Sequence, residues 1–158
     1  MNSGMADAAG LAWVLAALVG GWGGDRGPAA TGGEPPDREP DHRVSYRTRP
    51  DQALLYRLNG DRNPLHSDPS FAAMAGFDRP ILHGLCTYGF SGRALLHTLC
   101  GSDPARFKSM DGRFASPVFP GEELTIEMWV VGEGQCTFRT LGEDGRVVLK
   151  GGEHTFTP

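Results

Sequence analysis

Residues 81–99, ILHGLCTYGFSGRALLHTL, follow Pro80 and contain the longest helical pattern in the chain. Their apolar side chains fall on almost every side of a helix, which predicts a helix that is buried all round. Gly84, Gly89 and Gly92 interrupt the pattern, and because glycine is a poor helix former they indicate close approach by other backbone. The stretch therefore predicts one central helix that the rest of the fold surrounds.

The segments outside this helix are typical of β-strands. The C-terminal third predicts four strands joined by short turns, over residues 107–118, 123–132, 135–141 and 147–157. A further strand is predicted over residues 42–49, followed by short helices over residues 51–58 and 69–75. One strand, then helices, then several strands predict an α+β fold in which a curled antiparallel sheet surrounds the buried helix.

The first 41 residues differ in composition from the rest of the chain. Residues 27–41 hold four prolines and four acidic residues and almost nothing apolar, so they cannot bury enough surface to offset their ordering entropy. The apolar run over residues 11–19 is about half the ~20 residues that a membrane span needs. We therefore expect residues 1–41 to be a poorly ordered segment, residues 42–158 to form the folded domain, and no membrane partner.

Composition excludes several classes of protein. The 15 basic and 19 acidic side chains give a net charge of −4, without the basic excess that nucleic-acid binding needs. The 158 residues suffice for one core but not for two full domains. Cys86, Cys100 and Cys136 are odd in number and form no CxxC pair, which predicts small core residues rather than disulfides or a zinc knuckle. This cysteine usage fits a reducing compartment, and we expect a cytoplasmic location.

The densest group of reactive side chains is residues 56–66, YRLNGDRNPLH. Asp61 and His66 lie five residues apart on a loop, and such a pair can move protons to and from a water molecule. Asn63 offers both a donor and an acceptor with which to orient either group or the water. The spacing alone equally fits a polar turn with a structural histidine.

Metal sites are weaker interpretations of the same loop. A calcium loop fits poorly because Leu65 stands at the fifth ligand position and no glycine stands at the sixth. A catalytic metal held by Asp61, His66 and His83 is an alternative, although the sequence lacks the HxxxH spacing of helical metal sites. We expect no metal.

A second cluster, residues 79–84 (RPILHG), lies where the long helix is predicted to begin. The N-terminus of a helix offers unpaired N–H groups and a partial positive charge. Because Gly84 has no side chain, a ligand oxygen can reach its N–H, which predicts an oxyanion hole for a polarised carbonyl. In the alternative, purely structural interpretation, Gly84 packs against a strand and His83 caps the turn.

The two clusters together resemble the hydratase 2 motif of the MaoC-like enoyl-CoA hydratases, which also occurs in the peroxisomal multifunctional enzyme type 2. The matching positions are Tyr56-x-Leu58-x-Gly60-Asp61-x-Asn63-Pro64-Leu65-His66 and then Pro80-Ile81-Leu82-His83-Gly84-Leu85. The resemblance extends from about residue 42 to the C-terminus. It implies a hot-dog fold, with the sheet wrapped around the helix of residues 81–99. It also implies hydration of a trans-2-enoyl-CoA to a (3R)-3-hydroxyacyl-CoA, or the reverse dehydration.

The resemblance also implies roles for individual residues. Asp61 and His66 would activate the water and the backbone of Gly84 would bind the thioester oxygen, so the predicted catalytic residues are Asp61, His66, Asn63 and Gly84. Coenzyme A carries phosphates that should meet basic side chains. The predicted substrate-binding residues are His83, Tyr56, Arg79 and Arg113. No cofactor is implied beyond the coenzyme A of the substrate.

One departure from the family concerns the number of repeats. Eukaryotic-type members carry two hot-dog repeats in one chain, and residues 21–28 look like the linker that follows the first, so residues 1–20 could be its remnant. A single hot-dog leaves sheet edges and apolar surface that require pairing, so we predict a homodimer or a heterodimer of hot-dog subunits. Two alternatives to the hydratase are a non-catalytic half that binds acyl-CoA and completes a partner's pocket, and a hot-dog thioesterase.

Overall fold

A computed structural model describes residues 33–158 of the chain. Eight helices and strands follow one another along this part, with short 3-10 turns at Arg57–Asn59, Pro64–His66 and Pro104–Arg106. In chain order they are β1 (His42–Arg47), α1 (Gln52–Tyr56), α2 (Pro69–Met74), α3 (Gly84–Leu99), β2 (Phe107–Phe114), β3 (Glu123–Gly132), β4 (Gln135–Leu141) and β5 (Val147–Phe156).

The five strands form one antiparallel sheet in the order β1-β3-β4-β5-β2. Helix α3 contacts β1, β2, β3 and β5, so the sheet wraps around it. The core between them contains Leu95, Ile126, Met128 and Phe138, none of which has exposed surface. The predicted α+β architecture, with an antiparallel sheet around one long helix, is therefore confirmed.

The central helix begins three residues later than predicted, at Gly84 instead of residue 81. Residues 81–83 are not helical: the Ile81 carbonyl lies 2.8 Å from Nδ1 of His66 instead of pairing within a helix, the Leu82 N–H donates to the Val118 carbonyl at 2.7 Å, and His83 has a ψ of 134° as the N-cap. The helix ends at Leu99, as predicted.

The prediction that this helix is buried all round is wrong for one of its sides. The side chain of Leu85 is 66% exposed, and Gly89, Arg93 and His97 continue the exposed stripe at four-residue spacing. The prediction that other backbone approaches the three glycines of this helix closely is also wrong. A Cβ at Gly84 would meet the Phe114 ring, one at Gly92 would meet the Met110 sulfur, and one at Gly89 would meet nothing within 4 Å.

Several other boundaries differ by a few residues. Strand β2 ends at Phe114 instead of residue 118, β5 at Phe156 instead of 157, and β1 at Arg47 instead of 49. Helix α1 is shorter than the predicted residues 51–58 because its last turn tightens into 3-10 geometry, and α2 ends one residue early. The bounds of β3 and β4 agree with the prediction.

Part of the predicted linker packs on the outer face of the sheet. The Trp129 indole N–H donates to the Arg38 carbonyl at 2.9 Å. Arg38 in turn pairs with Asp41 at 2.7 Å, and an Asp41 carboxylate oxygen accepts the Val130 N–H at 2.7 Å. Residues 38–41 therefore pack against the sheet, because Trp129 offers them a buried surface and a donor. The expected poor order of residues 1–41 stays a prediction. The predicted remnant of a first repeat lies outside the described residues.

A charged network lies beside this segment. The Glu127 carboxylate is 4% exposed and accepts hydrogen bonds from Arg43 on β1 and Arg139 on β4, both at 2.7 Å. The Arg139 guanidinium also lies 5.4 Å from the centre of the Trp129 ring. Burial raises the pKa of Glu127, but the two arginines outweigh burial and hold that pKa below its usual range. The network therefore ties three strands together on the outer face.

The cysteines are free and buried, as predicted. Burial raises the pKa of Cys86 to about 11 and that of Cys136 to about 12, so neither thiol ionises near neutral pH. Cys100 lies 3.7 Å from Nε2 of the buried His154, whose Nδ1 lies 2.7 Å from the Ser109 carbonyl. In residues 33–158 no helix is long and apolar enough to cross a membrane.

Candidate active site

The loop between α1 and α2 carries the predicted catalytic side chains. Gly60 ends the 3-10 turn with a φ of +111°, which favours glycine, and turns the chain into the loop. Asn63 caps the next 3-10 turn, since its Oδ1 accepts the Leu65 N–H at 3.0 Å. The Asn63 N–H donates to Oδ1 of Asp61 at 3.2 Å. These local hydrogen bonds fix the loop and leave the Asn63 side-chain amide as a donor.

His66 is the half-buried member of the pair. Its Nδ1 lies 2.8 Å from the carbonyl oxygen of Ile81, so Nδ1 carries the proton that is donated. The other nitrogen, Nε2, is then the one that can accept a proton. One polar atom each of Asp61, His66 and His83 lies within 4.8 Å of the others. The structure therefore brings together the two groups that were predicted to hold a water molecule.

His83 lies behind His66 and is only 1% exposed. Its ring stacks on that of His66 with 3.7 Å between centroids, and the Tyr56 ring lies 4.7 Å away. Nε2 of His83 lies 3.2 Å from the backbone carbonyl of Asp61. Burial lowers the pKa of His83, and the nearby His66 lowers it further, so the imidazole is neutral at neutral pH.

Gly84 is the first residue of α3 and lines the same cavity as His66. The N–H groups of Cys86 and Thr87 both donate to the His83 carbonyl, whereas that of Gly84 has no partner within the helix. The cavity has a volume of about 320 Å³ and mostly apolar walls. These walls include Ile81, Phe77, Thr87 and Val148, with Phe114 facing Gly84. A helix N–H, a proton acceptor and apolar space thus adjoin one another.

The remaining predicted site residues lie further out. The Arg79 guanidinium lies 4.7 Å from the centre of the Phe119 ring and lines a second cavity of about 240 Å³, which His66 also lines. Tyr56 lines a shallow groove on the exposed side of α3. Arg113 is exposed on β2 beside Phe114 and lines neither cavity.

Sequence reasoning missed two features of the site. The acceptor for His66 is the backbone carbonyl of Ile81, an atom that every residue has and that no side-chain pattern marks. The wall of residues 115–118 comes from the segment that was predicted to be strand. Pro117 is the signal that could have shown that residues 115–118 are not strand, since proline lacks the N–H that a strand ladder needs.

The three grouped ligand atoms suit a metal ion poorly. The His66 and His83 rings are stacked with 30° between their planes, so their in-plane lone pairs do not converge on one point. His83 also holds the Asp61 carbonyl through Nε2. The absence of a metal from the reaction stays a prediction.

Residues 31–150 match the family model described as MaoC like domain. The chain is 53% identical over 152 residues to 3-hydroxyacyl-thioester dehydratase Y of Mycobacterium tuberculosis, which covers 90% of this chain and 52% of that protein. The MaoC-like dehydratase from Phytophthora capsici superposes with a TM-score of 0.80 at 46% identity, over 85% of this chain and 47% of that one. The (R)-hydratase from A. caviae involved in PHA biosynthesis superposes with a TM-score of 0.61 at 30% identity, over 74% and 93% of the two chains.

These comparisons confirm that the sheet and its central helix form a hot-dog fold. The chain spans about half the length of the curated relatives it matches.

Proposed function

Because the chain belongs to the MaoC-like domain family, we propose that it adds water to a trans-2-enoyl-CoA to give a (3R)-3-hydroxyacyl-CoA, or catalyses the reverse dehydration. The observation that carries this proposal is that His66 and Gly84 line one apolar cavity, while an Asp61 carboxylate oxygen lies within 4.8 Å of a ring nitrogen of His66. The names of the relatives, a 3-hydroxyacyl-thioester dehydratase and an (R)-hydratase, support the same reaction.

The thioester is activated at the start of α3. The Gly84 N–H donates a hydrogen bond to the thioester oxygen, and the partial positive charge of the helix N-terminus strengthens it. Electron density then moves from the C2–C3 double bond toward the carbonyl, which makes C3 electrophilic. The apolar walls around Gly84 strengthen this interaction because they exclude water.

The loop binds the water and removes one of its protons. Asp61 and His66 bind one water molecule, whose oxygen forms the new bond to C3 as the double bond breaks. One proton of the water is taken by the pair, and a proton is delivered from the pair to C2. We assign the acid and base roles to the pair as a whole. The Asn63 amide donates a hydrogen bond that orients the water, since its Oδ1 already serves the loop.

The reaction needs no cofactor in this proposal. Addition of water to a double bond oxidises and reduces nothing overall, and the Gly84 N–H supplies the polarisation that a Lewis acid would otherwise provide. Coenzyme A enters only as part of the substrate.

Arg79 and Arg113 are the proposed contacts for the phosphates of coenzyme A. The position of Arg79 on a cavity that shares His66 supports its assignment, whereas that of Arg113 has only its exposure beside Phe114 in its favour. Tyr56 and His83 act through neighbouring side chains, as His83 is buried behind His66. A cytoplasmic location stays a prediction.

We further propose that the chain works as a dimer of hot-dog units, most simply with a second copy of itself. The pairing face is the shallow groove on α3, about 260 Å³ in volume, lined by Tyr56, Leu85, Cys86, Gly89, Phe90 and Arg93. Leu85 lies in this groove and is exposed in the single chain, which supports burial of this face by a second subunit. The longer relatives, of which this chain spans about half, leave a separate partner half as the second candidate. The mass of the purified protein in solution tests the homodimer. We expect the mass of two chains for the wild type and that of one chain for Leu85→Glu.

The catalytic proposal is tested with the purified chain and a short trans-2-enoyl-CoA. We expect the enoyl absorbance to fall, a product of 3R configuration, and a loss of about 10²–10⁴ in kcat for Asp61→Asn. Asp78→Asn, which changes an exposed carboxylate on the loop before α3, is the matched control and should keep wild-type turnover.

Two other results would overturn the catalytic proposal. Release of free thiol from an acyl-CoA would identify a thioesterase. Binding of acyl-CoA without turnover, in the dimer as well as in the monomer, would identify a non-catalytic half that completes a partner's pocket.

A further inference from the structure

We propose that His83 is the positioning residue of the site: it joins the loop of Asp61, the ring of His66 and the start of α3 at Gly84 into one rigid unit. This inference rests on the proposed hydratase function. It differs from the predicted substrate-binding role because His83 is buried and does not line the cavity.

The first link runs from His83 to the loop. Nε2 of His83 lies 3.2 Å from the backbone oxygen of Asp61, and a carbonyl oxygen can only accept, so Nε2 carries the hydrogen. Asp61 itself is exposed, and its carboxylate contacts the backbone of Asn63, two residues along the same loop. The hydrogen bond from His83 therefore ties the loop to the body of the domain at the residue that carries the carboxylate.

The second link runs to His66. The two imidazoles stack at 3.7 Å, and the Tyr56 ring lies 4.7 Å from His83. Because His66 is also held through Nδ1 by the Ile81 carbonyl, the stack and this hydrogen bond together fix both the plane and the rotation of its ring. Nε2 of His66 then has one direction in which it can meet the water.

The third link is through the backbone. His83 is the N-cap of α3, and its carbonyl accepts the N–H groups of Cys86 and Thr87 at 3.1 and 3.3 Å. The residue that holds Asp61 and His66 therefore also starts the helix whose next N–H, that of Gly84, is the proposed oxyanion donor. A small rotation of His83 would misplace all three groups at once, and a misplacement of about 1 Å can cost about 10²-fold in rate.

The two ring nitrogens of His83 have different surroundings, so the proposed role predicts which nitrogen carries the hydrogen. Nδ1 is buried and has no hydrogen-bond partner among the described residues. A proton on Nδ1 would lack an acceptor and would add a positive charge beside His66, and the lowered pKa of His83 agrees with a neutral ring. The positioning by the His83 side chain thus falls on Nε2–H and on the ring face.

Two amide substitutions separate the nitrogens. In His83→Gln the side-chain NH₂ occupies the place of Nε2 and can still donate to the Asp61 carbonyl. In His83→Asn the NH₂ occupies the place of Nδ1 and is too short to reach that carbonyl. We expect His83→Asn, which loses both the hydrogen bond and the ring stack, to lose about 100-fold in kcat with little change in KM, and His83→Gln, which keeps the hydrogen bond, to lose less. His97→Gln, which changes an exposed histidine at the end of the same helix, is the control.

Two measurements test the inference without relying on activity. Imidazole ¹⁵N chemical shifts of the wild-type chain should show His83 with its hydrogen on Nε2 and a bare Nδ1. Amide hydrogen exchange over residues 61–66 should be faster in His83→Asn than in His83→Gln, which should match the wild type.

The outcomes separate this inference from the proposed function. A hydrogen on Nδ1 of His83, or equal exchange in the two amide variants, overturns the positioning role whether or not the chain is a hydratase. If the chain lacks turnover but the shifts and exchange rates are as expected, the positioning role stands and the proposed reaction fails. Equal kcat for the two amide variants of an active chain also overturns the positioning role.

Discussion

Replacing Gly84 by alanine should separate the stability of the chain from its activity. Gly84 has helical backbone geometry, so the backbone accepts alanine without strain. The new methyl group would lie 3.1 Å from Cζ of the Phe114 ring, with two further ring atoms at 3.3 and 3.4 Å. Because Phe114 is 53% exposed at the end of β2, its ring can move outward by the few tenths of an ångström that are required.

The two effects have different sizes. Alanine is favoured over glycine within a helix by about 0.5–1 kcal/mol. Displacement of Phe114 weakens its edge contact with Tyr88, a kind of contact worth about 0.5–1.5 kcal/mol. The two terms largely cancel, so the free energy of unfolding should stay within about 1 kcal/mol of the wild-type value. Turnover should fall about 10²–10³-fold, because the methyl group stands in the cavity where the thioester oxygen meets the Gly84 N–H.

The assay pairs thermal unfolding with the fall of enoyl absorbance. Gly92→Ala is the matched control, since it adds the same methyl group to α3 against the flexible end of Met110, at 3.3 Å, and away from the cavity. We expect it to gain stability and keep wild-type turnover. Wild-type kcat in a folded Gly84→Ala variant would refute the assignment of the Gly84 N–H as the donor to the thioester oxygen.

Three further predictions concern stability. Glu127→Gln should cost about 1–3 kcal/mol, toward the lower end because Arg43 and Arg139 are partly exposed, as measured by chemical denaturation. Burial lowers the pKa of His154, so below about pH 6.5 the unfolded chain takes up a proton that the folded chain resists. Stability should therefore be fully present above that pH and decline as pH falls, with a shallower slope of Tm against pH in His154→Gln. Trp129→Phe removes the hydrogen bond to Arg38 and should cost about 0.5–1.5 kcal/mol, whereas an unchanged Tm would show that this hydrogen bond adds nothing to stability.

The hydrophobic periodicity predicted both bounds of the two strands that lie inside the sheet. Strand β4 has a neighbouring strand on both sides, β3 has one on both sides over residues 123–128, and the predicted bounds of both strands agree with the structure. The end of α3 at Leu99 follows from the glycine two residues later, and the grouping of Asp61 with His66 follows from their spacing on one short loop. Such features depend on neighbours in the chain.

The features that the sequence did not reveal depend on distant partners. Ile81 and Leu82 continue the apolar pattern of the helix, but the Ile81 carbonyl pairs with His66 instead of with a helical N–H, and the Leu82 N–H donates to Val118, 36 positions further along the chain. The acidic and proline-rich composition around Asp41 indicated no packing partner, but its carboxylate accepts the N–H of Val130 on β3, and Trp129 donates to the Arg38 carbonyl. In both cases the partner lies far along the chain, where composition and periodicity do not register it.

The late start of α3 is also what makes the site. Had the helix begun at residue 81, the carbonyl of Ile81 would have been turned along the helix axis toward the fourth residue beyond it, and it could not have held His66. The non-helical residues 81–83 instead present that carbonyl to Nδ1 of His66 and place His83 behind it, and the first free helical N–H then falls on Gly84, the residue without a side chain. The error in the sequence prediction and the chemistry of the site therefore meet at one group, the Ile81 carbonyl, which binds His66 instead of a helical N–H. The neighbouring contact between Leu82 and Val118 lies on the wall of the cavity, so the packing that shapes the pocket adjoins the group proposed to bind the thioester.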